Sequence, residues 1–233
     1  MTTALITGAS RGLGLALAEG LAQAGWTLII NARTASELET AQTSLAKFTK
    51  VVAIVGDVSD AAHRQKLVEA VQQNGGLDLL VNNAGILGPS PQPNLLDYPL
   101  DFLENVFKVN TIAPLALIQT VHGELKPNAK IINISSDAGV EAYAGWGGYG
   151  SSKAALEQLS AILAAENPDM RIYWVDPGDM RTDMHQAAFP GEDISDRPLP
   201  QTSVPGLLEL IKGDYASGRY VARNVKQAEL AQV

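Results

Sequence analysis

The chain has 233 residues, 46% apolar and 18% charged, with a formal net charge of −8; that is length enough for one α/β domain with a sizeable core, and the acidic balance excludes nucleic acid or an anionic membrane surface as the main partner. It has no cysteine, which excludes disulfides, thiolate catalysis and Cys-based metal sites, and His63, His122 and His185 are scattered without metal-ligand spacing, so no metal is expected. The first residues carry no basic leader pattern, and no run approaches the ~20 apolar residues that span a bilayer, so a cytoplasmic protein with a small-molecule partner is expected.

Residues 4–6 form the first predicted strand and run into a Gly-rich turn. Helical spacing over 15–24 stops at Gly25, a plausible C-cap. A strand at 27–30, a helix at 35–47 and a strand at 51–55 follow. The next helix, 63–73, ends at Gly75-Gly76, and 79–81 is the fourth strand. One long helix is expected over 99–122, then a strand at 130–134, a helix at 149–165 and strands at 171–175 and 219–222. The strands are continuous Val/Ile/Leu runs, as buried parallel strands are when helices cover both faces. Repeated β-α order predicts a doubly wound parallel sheet of the Rossmann type, a three-layer α/β/α fold of about seven strands. No linker or repeat divides the chain, so residues 1–233 read as one domain. Residues 183–204 break the rhythm; polar, acidic and punctuated by Pro190, Pro198 and Pro200, they are expected to be a functional loop.

The turn reads Thr7-Gly8-Ala9-Ser10-Arg11-Gly12-Leu13-Gly14. Glycines let the backbone turn sharply and let a pyrophosphate approach, and the helix that follows offers free N–H groups and a favourable dipole. The spacing, G-x-x-x-G-x-G, departs from the G-x-G-x-x-G fingerprint, yet its strand-turn-helix setting points to a dinucleotide. The end of the second strand speaks to which one. An NAD ribose is usually held there by Asp or Glu. This chain has Asn31-Ala32-Arg33, with no carboxylate to repel a 2′-phosphate. Arg33, with Arg11, can pair with that phosphate. NADP(H) is therefore favoured, and NAD(H) with Arg33 left at the surface is the alternative.

Further motifs sit at the strand ends: Asn82-Asn83-Ala84-Gly85, Asn110 in Val109-Asn110-Thr111, Ser135-Ser136, Tyr149-x-x-x-Lys153 and Pro177-Gly178. With the Gly-rich turn, and in this order, they make the chain resemble the short-chain dehydrogenase/reductase family over nearly its whole length. The resemblance implies that Gly8, Ser10, Arg11, Gly12, Leu13 and Gly14 line the pyrophosphate and ribose. It implies Asp57 and Val58 at the adenine, and Asn83, Ala84 and Gly85 behind the adenosine ribose. Pro177, Gly178 and Thr182 would lie beside the nicotinamide, although Met180-Arg181 departs from the family's usual residues before that threonine.

Hydride transfer between a carbonyl and an alcohol needs a positioned acid or base. Tyr149 and Lys153 are four apart on a helix and share one face. A neighbouring ammonium, with the oxidised nicotinamide's charge, is expected to lower the phenol's pKa, and by resemblance Lys153 also bonds the nicotinamide ribose. Ser136, thirteen residues before Tyr149, is expected to hold the substrate oxygen, with Ser135 facing away. Asn110 is expected either to hold a water that connects Lys153 to solvent, as the family suggests, or to bond the local backbone. Tyr143 has no lysine four residues on and is not the acid. Asp137 and Trp146 are placed near the substrate, Trp146 equally in the core or at a subunit contact. Met184 and Phe189 suggest an apolar inner face for 183–204, which matches the family's substrate lid in position. By resemblance the chain pairs into a homodimer or homotetramer through residues 101–122 and 149–166; residues 224–233 lack the Gly-rich continuation common in tetramers. A cofactor-sensing protein that has lost catalysis is the reading from another class, and the complete Asn110, Ser136, Tyr149, Lys153 set weighs against it.

Overall fold

The computed structural model describes residues 2–225. Seven parallel strands form one sheet in the order β3-β2-β1-β4-β5-β6-β7. They are β1 (Thr3–Thr7), β2 (Thr27–Ala32), β3 (Val51–Val55), β4 (Leu77–Asn82), β5 (Leu125–Ile134), β6 (Arg171–Asp176) and β7 (Gly218–Val221). Strand order reverses between β1 and β4, so connections leave to opposite sides and a crevice opens at the carboxyl ends. This is the doubly wound, Rossmann-type sheet anticipated above.

Alternation along each strand divides the core between the two faces. Ala4, Ile6, Leu28, Ile30, Leu79 and Val81 pack on one side with Leu17 and Leu21 of α1 (Gly12–Gln23), Leu38 of α2 (Ala35–Leu45), and Leu207 and Leu210 of a late helix. Leu5, Ile29, Leu80 and Ile131 face the other way, toward Leu67 and Val71 of α3 (Ala61–Gln73) and toward Leu117. Each fully buried side chain of this kind contributes about 1.5–3 kcal/mol.

The structure departs from the expected elements in three places. The helix expected over 99–122 is not continuous: α4 (Leu100–Phe107) passes into a π-helical turn, Lys108–Ile112, and then into α5 (Ala113–Val121). Asn110 lies in that turn, where its amide draws on backbone outside the helix and one extra residue fits the turn. Helix α6 (Gly147–Glu166) then carries the Tyr-Lys pair. Second, residues 183–204 are not all loop, because α7 (Asp183–Ala188) opens the segment under a Thr182 cap. Third, α8 (Val204–Lys212) was not anticipated, although Pro205 in its first turn and Leu207, Leu210 and Ile211 at helical spacing announce it. The expectation for 224–233 lies, beyond residue 225, outside the described residues.

Candidate active site

The crevice is a cavity of about 830 Å³ running from β3 across the β1–β4 switch to the start of α7. Its floor is the Gly-rich turn. Gly8 (φ 65°) and Gly12 (φ 57°) take left-handed conformations that side chains resist. A methyl at Gly14 would run into the Gly8 carbonyl oxygen, so α1 starts tight against the turn. Arg11 stands at the N-cap of α1 and makes no side-chain cap bond, which leaves first-turn N–H groups for an anion. Asn83 fastens the turn to β4: its Nδ2 donates to the Thr7 and Gly8 carbonyls at 2.9 and 3.0 Å. The backbone N–H groups of Asn83 and Ala84 both donate to Thr7 Oγ1 at 3.0 Å. The cradle suits a dinucleotide, with Gly8, Ser10, Arg11, Gly12 and Leu13 on its surface and Gly14 behind it.

Arg33, Asp57, Val58, Ala84 and Gly85 all reach the same cavity. Burial alone would raise the Asp57 carboxyl, but the Ser59 N–H at 2.8 Å, with Arg33 and Lys108 nearby, leaves it lowered and charged. One residue here was missed from sequence. Glu37, in the first turn of α2, enters the cavity and accepts from Arg11 NH1 at 3.1 Å and from Ser10 Oγ at 3.2 Å. The absence of a carboxylate holds for Asn31-Ala32-Arg33 and not for the site. The signal was one helical turn further on, where a side chain points back toward the helix start.

At the other end Tyr149 and Lys153 line the cavity and are both buried. Lys153 Nζ donates to the Ile134 carbonyl at 2.8 Å and lies 5.5 Å from the Tyr149 ring centroid. Burial lowers Lys153 to about 8, against the opposing pull of Glu157. Burial raises the Tyr149 phenol, and Asp137 and Asp176 add to this, while a hydrogen bond with Ser136 acts against it. Among the protein's own groups, the loss of water around the phenol outweighs its neighbours.

The strand ends at Ile134, and the hydroxyls of Ser135 and Ser136 beyond it go to different partners; Ser135, not Ser136, is among the cavity's lining residues. Ser135 Oγ donates to Glu157 Oε1 at 2.6 Å, whereas Ser136 sits beside Tyr149 with its hydroxyl on Asp137 Oδ1 at 2.9 Å. Asn110 is fully buried. Its Oδ1 accepts from Ile86 N–H at 2.8 Å, and its Nδ2 donates to the Ile86 carbonyl at 2.9 Å and to Ser152 Oγ at 3.0 Å. The amide is a clamp on the backbone after Gly85. These contacts include the bonding to backbone expected of it.

Trp146 caps α6 and meets both Tyr149 and Phe189 at ring separations of 5.8 and 5.9 Å. It thus joins the Tyr-Lys helix to the 183–204 segment. Tyr143 lies outside the buried pair, bonded to Asp137 Oδ2 at 3.1 Å. Pro177 and Thr182 line the cavity. Gly178 is set back, its N–H donating to Asp176 Oδ1 at 2.8 Å, and Thr182 Oγ1 accepts from His185 N–H at 3.2 Å to start α7. Ser90 Oγ donates to the Ala187 carbonyl of α7 at 2.7 Å, and the segment after α7 is held by Arg181 N–H donating to the Pro198 carbonyl at 2.8 Å. A half-buried ion pair was also missed: Arg219 on β7 holds Glu157, four residues after Lys153. Its parts are 62 residues apart, with no local pattern to link them.

Among the described residues no group of His, Cys, Asp and Glu is arranged to hold a metal ion, and no helix is long and apolar enough to cross a membrane.

The short chain dehydrogenase family model matches residues 2–193. A benzil reductase ((S)-benzoin forming) of Saccharomyces cerevisiae is 33% identical over 98% of this chain and 88% of its own. Mouse sepiapterin reductase is 34% identical over 79% of this chain and 76% of its own. An alcohol dehydrogenase from the archaeon Thermococcus sibiricus, solved with 5-hydroxy-NADP, superposes with a TM-score of 0.85 at 27% identity, covering 95% of each chain. The chain belongs to the short-chain dehydrogenase/reductase family. It is an oxidoreductase of carbonyl and alcohol substrates, built on the parallel sheet that family shares.

Proposed function

We propose that this chain interconverts a ketone or aldehyde and its alcohol with NADP(H), and that Tyr149 is the group that moves the proton. The observation that carries the reading is the placement of Tyr149 and Lys153, buried at one end of a cavity whose other end presents Arg11 and Arg33. The nicotinamide supplies or accepts the hydride when bound. Gly8, Gly12 and the start of α1 take the pyrophosphate, Asp57 and Val58 flank the adenine, and Arg11 and Arg33 answer the 2′-phosphate. Pro177 and Thr182 border the reacting end.

In reduction, the substrate oxygen gains charge as hydride arrives. Ser136 Oγ donates to that oxygen, turning from Asp137, and the Tyr149 hydroxyl delivers the proton. A phenol raised by burial holds its proton until the developing alkoxide draws it away. Lys153, charged below about 8, stabilises the phenolate left behind and reaches the ribose hydroxyls. Asn110 keeps the Gly85-Ile86 backbone from collapsing into that space. Trp146, Phe189 and Met184 form the apolar side of the substrate cleft, and residues 183–204 act as its lid. Copies of the chain pair through α4–α5 and α6, where Phe102, Ile112 and Ile162 are exposed.

The test is consumption of NADPH across a panel of ketones and aldehydes, with NADH in parallel. Turnover with NADPH, and reversal of the cofactor preference by Arg33→Asp, is the expected result. Nucleotide binding with no turnover of any carbonyl overturns the catalytic reading. A wild-type preference for NADH overturns the cofactor assignment alone.

A further inference from the structure

The polar end of the cavity contains more negative charge than its strand-end residues suggest. Arg11 NH1 is shared between two carboxylates: Glu37 Oε1 at 3.1 Å and Asp183 Oδ2 at 3.6 Å. Glu37 Oε2 also takes the Ser10 hydroxyl at 3.2 Å. Arg11 is one of the two cations assigned above to the 2′-phosphate, and Ser10 stands beside it in the Gly-rich turn. Glu37 sits in the first turn of α2 and lines the same cavity. At this end Arg11 and Arg33 face Glu37, Asp183, Asp57 and Glu19, so carboxylates outnumber guanidiniums.

We infer that Glu37 is a specificity-determining residue for the cofactor: its carboxylate occupies Ser10 and Arg11 and must give them up to a 2′-phosphate, so it holds NADPH affinity down relative to NADH. The inference rests on the reading above that this end receives the adenosine ribose. A phosphate dianion meets a like charge at Glu37 and competes with it for one guanidinium. A ribose 2′-hydroxyl meets an acceptor instead, the role that an Asp or Glu at the end of β2 plays in NAD sites. Glu37 does so from the next helix. Asp183, at 78% exposure and 3.6 Å, is the weaker competitor.

The experiment is equilibrium binding of NADPH and NADH to the full chain, read by nicotinamide fluorescence, for the wild type and Glu37→Gln. The variant keeps the side chain's shape and removes its charge. NADPH binding is expected to tighten about tenfold, while NADH loses the charged acceptor for its 2′-hydroxyl and weakens, so the preference moves at least about tenfold toward NADPH. Glu37→Ala is expected to move the preference in the same direction, and a melting curve for each confirms the fold. A preference that moves less than twofold, or moves toward NADH, overturns the inference; the second result would mean that Glu37 instead holds Ser10 and Arg11 ready for the phosphate. A wild type that prefers NADH but shifts as expected retains the role of Glu37 and overturns only the NADP assignment. Failure of the wild type to bind either nucleotide overturns both.

Discussion

Arg219 grips Glu157 with one nitrogen: its Nε lies 3.0 and 3.2 Å from the two carboxylate oxygens. Ser135 donates to the same carboxylate, and Asp176 lies 3.6 Å from Arg219 NH2. Glu157 is therefore a fixed charge one helical turn beyond Lys153. It favours the ammonium that burial disfavours.

Glu157→Gln is accordingly expected to lower the Lys153 pKa further below about 8. Reduction should fall with rising pH through that value in the wild type, because the ammonium is lost. In the variant the same fall should come at lower pH, displaced by about one unit. Arg219 keeps Asp176 at 3.6 Å but loses its closest charged partner, so a stability loss of about 1–3 kcal/mol should accompany the shift. A pH-rate profile with an unmoved alkaline limb would show that Glu157 serves only the fold.

Lys153 also has a signature in stability. Its pKa is about 8 in the folded chain against the ordinary 10.5. Between those values the unfolded chain binds more protons, so this group makes stability rise with pH there; below pH 8 both states are protonated and its penalty is constant. Lys153→Met should remove that rise, measured by urea unfolding at pH 8 and pH 10. It should also slow reduction, since the phenolate loses its counter-charge.

Tyr149→Phe removes one hydroxyl and leaves the ring against Trp146. Turnover should drop by about 10²–10⁴-fold, the usual contribution of a positioned acid, with the melting temperature nearly unchanged. Near-normal turnover would remove Tyr149 from the mechanism.

Asn110→Ala strips partners from both the N–H and the carbonyl of Ile86. A buried backbone group left without a partner costs about 1–3 kcal/mol, so a large fall in unfolding free energy is expected. Asn110→Asp should recover only the bond to the Ile86 N–H. Equal stability of all three proteins would mean that water replaces the clamp.

Gly14→Ala puts a methyl where the Gly8 carbonyl oxygen stands. The start of α1 must move away from the turn, and nucleotide affinity should fall at least about tenfold, read by fluorescence titration. Gly25→Ala is the control: it strains a left-handed residue but meets nothing within 4 Å. It should cost stability and leave binding alone.

Much of this was legible in the chain itself. Parallel strands buried on both faces must read as unbroken apolar runs, and ligands must sit at their carboxyl ends, so β1–β7 and the motifs that follow them could be placed without coordinates. The Tyr149–Lys153 pair was equally visible, because a separation of four on one helix fixes a shared face. Three decisions needed the tertiary structure. Asn110 closes on Ile86, 24 residues away, and so belongs to a π-turn within what the sequence pattern shows as one helix. The burial that raises the Tyr149 phenol depends on α6, Trp146 and Ala138 meeting around it. Glu37 faces Arg11 across 26 residues, a contact set by how α2 lies against the Gly-rich turn. Local spacing determines which residues a strand end or a helix face presents. Which charges then meet there, and how much water they keep, is decided only when separate elements pack.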